Sequence, residues 1–240
     1  MIQKKAGVEI LSLALAILPV MSVYAQPDYP EIFGNDWQKA LTFVDENKGW
    51  IRPALTRYGI TYSEAVAVVF PELVRYSALR DKMEITLLKT LYRNLGEDYA
   101  DFSVGVFQVK PSFAERIIEE SQGIRIGKLF KTRDKFENDY QFRASVISDL
   151  EDPEREFRYV IAFLKICEKK FRINREDEDS GIKFLATAYN TGFWKSEEEI
   201  RMMTNKKFFN TKLIKTENYS YADVSLFWYK QYFKSVSIQK

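Results

Sequence analysis

Apolar residues recur with helical spacing along most of the chain after residue 35. Residues 36–46 repeat apolar side chains at intervals of three and four, which predicts an amphipathic helix with Trp37, Ala40, Leu41 and Val44 on its buried face. The run 65–70 is apolar without interruption and follows Thr61 and Glu64, which have the spacing of a capping box. A helix without a polar side is expected to be buried all round.

Start and stop signals predict five more helices. Residues 85–95 have an apolar face that includes Ile85 and Leu95, and Gly96 is a typical stop. Ser112 and Glu115 have capping-box spacing, and the helix that they begin is expected to end near Gly123. The third of these helices begins at Asp152-Pro153 and runs to about Phe171, with Phe157, Ile161, Leu164 and Cys167 inward. Two more are predicted, one over residues 182–189 and one that begins at Ser220 with Asp223.

Residues 122–147 mix charged and aromatic side chains without clear periodicity, which predicts a loop with a short helix or two. Strand signals are weak and no internal repeat is found. The sequence therefore predicts an all-α fold, with an N-terminal helical extension over residues 26–60 and a helical domain over residues 61–240.

The first 25 residues have the pattern of a secretory signal peptide. Lys4 and Lys5 precede the apolar run 10–20, and Ala25 is a plausible cleavage site. The alternative is a membrane anchor, but the apolar run is well short of the roughly 20 residues that span a bilayer, and it contains Pro19. We expect a periplasmic or secreted bacterial protein without a membrane span after cleavage.

Composition excludes several classes of chemistry. The 240 residues contain no histidine, which excludes a Ser-His-Asp triad, a Cys-His nucleophile and a histidine-ligated zinc. Cys167 is the only cysteine, and the acidic run 176–179 lacks the spacing of a calcium loop, so we expect neither metal nor cofactor. With a net charge of +2, the chain also lacks the basic excess of a nucleic-acid-binding protein.

Three short segments carry candidate chemistry. The first is Glu72, which directly follows the buried run and Pro71. A desolvated carboxyl has a raised pKa and can act as a general acid near neutral pH. The alternative is an outward-facing glutamate paired with Arg75. The second segment is 103–108, which contains Ser103, Gly105 and Gln108. It is a candidate because glycine lets a backbone approach a ligand closely and a glutamine side chain both donates and accepts hydrogen bonds.

The third segment is Tyr189-Asn190-Thr191-Gly192 at the end of a predicted helix, where Asn and Gly could also be only a helix cap. Taken in order, the three segments resemble the lysozyme-like lytic transglycosylases and their goose-type lysozyme relatives. In that family a catalytic Glu ends a buried helix, a Gly-Leu-Met-Gln turn follows, and an Ala-Tyr-Asn-x-Gly segment comes later. The resemblance covers roughly residues 60–230.

The resemblance implies cleavage of the β-1,4 bond between N-acetylmuramic acid and N-acetylglucosamine in peptidoglycan. Glu72 would protonate the leaving oxygen, and the 6-hydroxyl of muramic acid would then attack to give a 1,6-anhydro product. Tyr189 would hydrogen-bond the Glu72 carboxyl. Gln108 and Asn190 would contact the sugar, as would Ser103, Gly105 and the main chain around Val106.

Departures from the family pattern leave alternatives open. Leu73 stands where the family has Ser, and Val106-Phe107 replaces Leu-Met. A goose-type hydrolase would need a second carboxylate, for which Asp98 and Asp101 are the nearest candidates. Two further alternatives are a non-catalytic peptidoglycan-binding or scaffold protein and a helical partner-binding module, in which Glu72, Gln108 and Tyr189 would not converge. A partner complex in the cell envelope is left open.

Overall fold

The computed structural model describes residues 27–79, 84–173, 177–209 and 218–234. The predicted signal peptide lies outside these residues. Within them the chain forms α-helices and one small antiparallel sheet of two strands, so the predicted all-α class is confirmed. No helix of this part of the chain combines the length and the apolar character that a bilayer crossing needs.

The elements follow in this order. The helices are α1 (Tyr29–Phe33), α2 (Asn35–Thr56), α3 (Tyr62–Leu79), α4 (Glu84–Leu95), α5 (Pro111–Glu120), α6 (Asp139–Leu150), α7 (Pro153–Lys170), α8 (Glu178–Thr191), α9 (Glu197–Met203) and α10 (Tyr221–Tyr229). Two 3-10 segments, Arg125–Leu129 and Arg133–Lys135, precede α6, and a π-helical segment, Lys230–Lys234, follows α10. The strands are β1 (Lys207–Phe209) and β2 (Tyr219–Ser220).

The core is built around α3. Residues 65–70 are buried on every side, as their uninterrupted apolar run predicts, because α2, α7, α8 and α10 all pack against this helix. Aromatic side chains fill the space on one flank, where Phe70 contacts Trp37 at 4.7 Å and Trp228 at 5.3 Å between ring centroids. The helices of the N-terminal extension are therefore part of the core of the domain.

Several local predictions are confirmed. Asp152 caps α7 by accepting from the main-chain N–H of Arg155 at 2.9 Å, and Ser220 caps α10 in the same way through Asp223. The helix predicted over residues 36–46 is present but longer, since α2 continues through Pro53 to Thr56. Gly96 adopts a φ of 94° directly after α4, as a helix stop requires.

Other local predictions are wrong where tertiary contacts override sequence signals. Ser112 and Glu115 do not form a capping box: α5 begins at Pro111, and the Glu115 carboxylate instead accepts from Tyr92 and Arg133, both at 2.5 Å. Leu95 is exposed rather than inward.

Two helices differ from the sequence-based expectation. Residues 122–147 contain the two 3-10 segments and the start of α6, a helix of 12 residues that is longer than the short helices expected there. Asn138 caps α6 by accepting from the N–H of Gln141 at 3.0 Å. Helix α9, which begins with a capping box formed by Ser196 and Glu199, was not predicted.

Candidate active site

An open cleft of about 240 Å³ lies where α3, the turn 103–109, the start of α5 and the end of α8 meet. Its walls carry Glu72, Arg75, Asp101, Ser103, Gln108, Val109, Lys110, Ser112, Phe113, Tyr189, Asn190, Thr191, Gly192 and Trp194. Five of the seven predicted site residues are in this set: Glu72, Ser103, Gln108, Tyr189 and Asn190. The three segments singled out in the sequence therefore converge on one cleft.

Glu72 lies inside a helix rather than at its end, because α3 continues past Pro71 to Leu79. Its side chain is 4% exposed, and both carboxylate oxygens accept from Nη1 of Arg75, one turn further on, at 3.1 and 2.9 Å. Burial raises the pKa of the Glu72 carboxyl above its usual range, and the Arg75 guanidinium opposes that shift. The acid is thus desolvated and paired at the same time.

The tyrosine beside Glu72 is Tyr221, not Tyr189. The Tyr189 hydroxyl donates to the main-chain carbonyl of Phe107 at 2.9 Å, so the expected hydrogen bond to Glu72 is not the one formed. Tyr221, the first residue of α10, donates to the carbonyl of Val68 at 3.0 Å, and its hydroxyl lies beside the Glu72 carboxyl and lowers its pKa. No sequence motif marks Tyr221, since it reaches Glu72 only through the packing of α10 on α3.

The turn between Val104 and Val109 is closed by a hydrogen bond from the N–H of Val104 to the carbonyl of Val109, at 3.0 Å. Two residues in it have left-handed backbone, Gly105 with a φ of 72° and Gln108 with a φ of 54°. The Gln108 side-chain amide donates to the Gly105 carbonyl at 2.8 Å. Gln108 is thus held in an unusual conformation for a residue with a side chain while it lines the cleft.

Gly105 and Val106 do not line the cleft, contrary to expectation. Gly105 packs against the protein interior, and it does so closely: a Cβ at this position would lie 2.2 Å from Oε2 of Glu156. The Val106 main chain faces the same carboxyl, and its side chain lines a second cavity of about 270 Å³ between α2 and α3, next to Leu73 and Tyr76. The close approach that calls for glycine is to Glu156 and not to a ligand.

Glu156, on α7, is a residue of this site that sequence reasoning missed. It is 0% exposed, and its Oε1 accepts from the N–H groups of Phe107 at 3.1 Å and Val109 at 3.4 Å. Burial raises its pKa well above the usual range, although these main-chain donors oppose the shift. A sequence signal existed: Glu156 continues the helical line of Val160 and Phe163, both fully buried, so the helical period places a carboxyl among core positions.

Trp194 is the third residue of the site, after Tyr221 and Glu156, that the sequence did not indicate. It is 39% exposed at the mouth of the cleft, and its ring packs edge-on against Phe193 and Phe113, with centroids 5.5 and 6.2 Å away. Gly192 ends α8 with a φ of 106°, and a Cβ there would lie 2.6 Å from the indole. The glycine of the third motif therefore both caps the helix and makes room for Trp194.

The two acidic candidates for a hydrolase differ in position. Asp101 lines the cleft, where it pairs with Lys110 at 3.3 Å and accepts from the N–H of Ser112 at 3.2 Å. Asp98 is exposed and is not among the residues that line the cleft. Within the described residues, no group of three or more carboxylates and thiols is arranged to hold a metal ion.

A comparison of this chain with protein-family models, with curated proteins and with solved structures finds no match.

Proposed function

We propose that this protein is a peptidoglycan lytic transglycosylase that cleaves the β-1,4 bond between N-acetylmuramic acid and N-acetylglucosamine. One observation carries the proposal: a buried carboxyl with a raised pKa, Glu72, lines an open cleft together with Gln108 and Asn190 from two other segments of the chain. A carboxyl with a raised pKa, beside amide side chains that can bind sugar N-acetyl and hydroxyl groups, is suited to glycoside cleavage.

The chemistry requires one carboxyl that acts twice. Protonated Glu72 donates its proton to the glycosidic oxygen as the bond from that oxygen to C1 of the muramic acid breaks. The carboxylate then removes the proton from the 6-hydroxyl, whose oxygen bonds to C1 and closes the 1,6-anhydro ring. Arg75 lies within 3.1 Å of both carboxylate oxygens and stabilises the charge that Glu72 carries between these steps.

A hydrolase is the second candidate, because Asp101 lines the same cleft. An inverting hydrolase uses a second carboxylate, roughly 6.5–9.5 Å from the acid, to activate a water molecule. In that case the products would have reducing ends, and Asp101→Asn would abolish their formation. A transglycosylase needs no second carboxylate and would retain its anhydro products in this variant.

A non-catalytic peptidoglycan-binding protein is the third candidate, and the Glu72–Arg75 ion pair favours it. A guanidinium beside a carboxyl stabilises the charged form, which cannot donate a proton. This candidate predicts glycan binding of equal affinity by the wild type and by Glu72→Gln, without products from either.

The deciding experiment is digestion of purified peptidoglycan by the wild type, by Glu72→Gln and by Glu115→Gln, with products identified by mass spectrometry. Glu115 is the matched control, since it is a buried carboxyl that does not line the cleft. We expect anhydro-muropeptides from the wild type and the control, and a loss of about 10²–10⁴ in rate for Glu72→Gln. Unchanged cleavage by Glu72→Gln would overturn the assignment of the acid.

The proposed substrate requires export. The predicted signal peptide over residues 1–25 is consistent with a protein that meets peptidoglycan in the periplasm or outside the cell. Peptidoglycan glycan strands are accordingly the proposed partner. The mass of the mature chain, measured by mass spectrometry after expression with residues 1–25 present, tests cleavage before Gln26.

A further inference from the structure

The turn 104–109 is held from beneath by a single buried carboxyl. Oε1 of Glu156 accepts from the main-chain N–H groups of Phe107 and Val109, and the main chain of Val106 faces the same group. These main-chain donors point towards the protein interior, since Phe107 and Val109 are both buried. Each buried N–H that lost its acceptor would destabilise this turn.

The shape that these bonds maintain is an unfavourable one. Gln108 has a φ of 54°, which a residue with a Cβ adopts only when its surroundings impose it. Gly105, at 72°, packs its Cα so closely on Oε2 of Glu156 that no side chain fits between them. Contacts with α7 therefore hold the backbone that presents Gln108 to the cleft.

The same turn also connects Glu156 to the far wall of the cleft. The N–H of Phe107 donates to Glu156 on α7, and its carbonyl accepts from the Tyr189 hydroxyl on α8 at 2.9 Å. Two helices thus hold the two polar groups of one residue. The orientation of Gln108 and the position of Tyr189 both depend on where this residue lies.

We propose that Glu156 is a positioning residue of the cleft, which fixes the turn 104–109 so that Gln108 and Tyr189 face a bound ligand together. The part of this proposal that concerns a glycan ligand rests on the proposed function. The part that concerns the turn does not.

The role needs an acceptor but no negative charge. Oε2 of Glu156 has no hydrogen-bond partner among the described residues, and burial raises the pKa of the carboxyl well above its usual range, which favours the neutral form. A glutamine at this position would present the same acceptor oxygen to Phe107 and Val109. A leucine would fill similar space and leave both N–H groups without a partner.

The test compares Glu156→Gln with Glu156→Leu. Hydrogen exchange of the Phe107 and Val109 amides is followed by NMR, and binding of an oligosaccharide of alternating N-acetylglucosamine and N-acetylmuramic acid by calorimetry. We expect Glu156→Gln to keep both amides protected and to bind within about twofold of the wild type. Glu156→Leu should exchange both amides at least tenfold faster and bind at least tenfold more weakly.

Glu115→Leu is the control for lost stability alone, because Glu115 contacts Tyr92 and Arg133 away from the turn. It should leave the affinity unchanged.

If Glu156→Leu does not fold, Glu156→Asp takes its place, since it withdraws the acceptor by one methylene group and should show the same losses. Wild-type amide exchange and affinity in Glu156→Leu or Glu156→Asp would overturn the proposal. So would a loss of protection and affinity in Glu156→Gln as large as in those variants. A wild type that binds no oligosaccharide would contradict the proposed function, while the exchange rates would still decide the role of Glu156 in the turn.

Discussion

The carboxyl of Glu72 is subject to two opposing influences. Burial favours its neutral form, and the Arg75 guanidinium within 3.1 Å of both oxygens favours its charged form. The balance leaves its pKa raised. A group whose proton is held more tightly than in water, with a cation ready to stabilise the anion, can exchange a proton with a ligand in either direction.

Removal of Arg75 is expected to shift the pH dependence of activity. In Arg75→Met the pKa of Glu72 rises, because the charge that stabilises the carboxylate is lost. The protonated form then persists to higher pH, and the alkaline limb of kcat/KM moves upward by about one pH unit or more. Arg201→Met, at an exposed arginine of α9, is the control and should leave the profile unchanged. An alkaline limb that stays in place in Arg75→Met would show that Glu72 does not set it.

Trp194 is expected to contribute to glycan binding through the exposed part of its ring. Trp194→Ala should weaken oligosaccharide binding by roughly twofold to tenfold, because an aromatic contact is worth about 0.5–1.5 kcal/mol. Tyr140→Ala is a matched control, since Tyr140 is an exposed aromatic residue of α6 outside the cleft. Calorimetric titration of both variants measures the difference, and equal affinities would contradict a role for the indole.

Sequence order predicted the residues that act through local motifs but not those that act through packing. Glu72, Gln108 and Asn190 belong to short segments whose residue types already indicate a site. The pairing of Glu72 with Arg75 also follows from their spacing on one helix. Tyr221 lies some 150 positions from Glu72, and only the contact of α10 with α3 brings the two together. No local pattern contains that information.

At the scale of elements, the turn 104–109 depends on glycine for a reason that mutation can isolate. In Gly105→Ala the new Cβ would meet Glu156 at 2.2 Å and the carbonyl of Leu150 at 2.3 Å, in addition to the left-handed backbone. We expect a loss of about 2–4 kcal/mol in the free energy of unfolding, measured with urea. Gly123 has a φ of 82° and open space around it, so Gly123→Ala should lower the free energy of unfolding by only about 1–2 kcal/mol. Equal losses would show that the contact with Glu156 is unimportant.

Helix boundaries were predictable where a cap decides them and unpredictable where the core does. Asp152 and Ser220 begin their helices because their side chains bond main-chain N–H groups a few residues away. Glu115 has the spacing of a cap residue, but a buried tyrosine and an arginine from elsewhere in the chain bind it more effectively. In this protein, a local hydrogen bond sets the first residue of a helix only where no long-range partner competes for the same side chain.

At the scale of the whole molecule, the N-terminal helices are joined to the last described segment. The Trp37 indole N–H on α2 donates to the hydroxyl of Tyr232 at 3.1 Å, and the ring packs on Phe227 of α10. The sequence predicted helices over residues 26–60, but it contained no sign that they would close the core beside α10. That contact joins residues nearly 200 positions apart, beyond the reach of any periodicity.

At the scale of the whole molecule, Glu156 is expected to contribute less stability as pH rises, because its pKa is raised in the folded protein. Its pKa is near 4.5 in the unfolded chain and well above that in the folded protein, where Glu72 and Tyr189 face it. Its contribution is complete below the unfolded value and is lost as pH rises through the folded value, by at most about 1.4 kcal/mol per pH unit. Glu156→Gln should therefore gain stability relative to the wild type as pH rises above the unfolded pKa of about 4.5.

Urea unfolding at several pH values measures this difference. Glu119→Gln, at an exposed position of α5, is the control and should follow the wild type. A difference between Glu156→Gln and the wild type that stays constant with pH would mean that Glu156 does not titrate differently in the two states.

The only cysteine of the chain lies on the helix that supports the turn. Cys167 is fully buried on α7, three turns after Glu156, and burial raises the pKa of its thiol well above the usual range. A water-soluble disulfide reagent can modify it only when α7 separates from its neighbours. The modification rate under native conditions therefore measures how often α7 separates from the elements packed on it, and whether a bound oligosaccharide slows that separation.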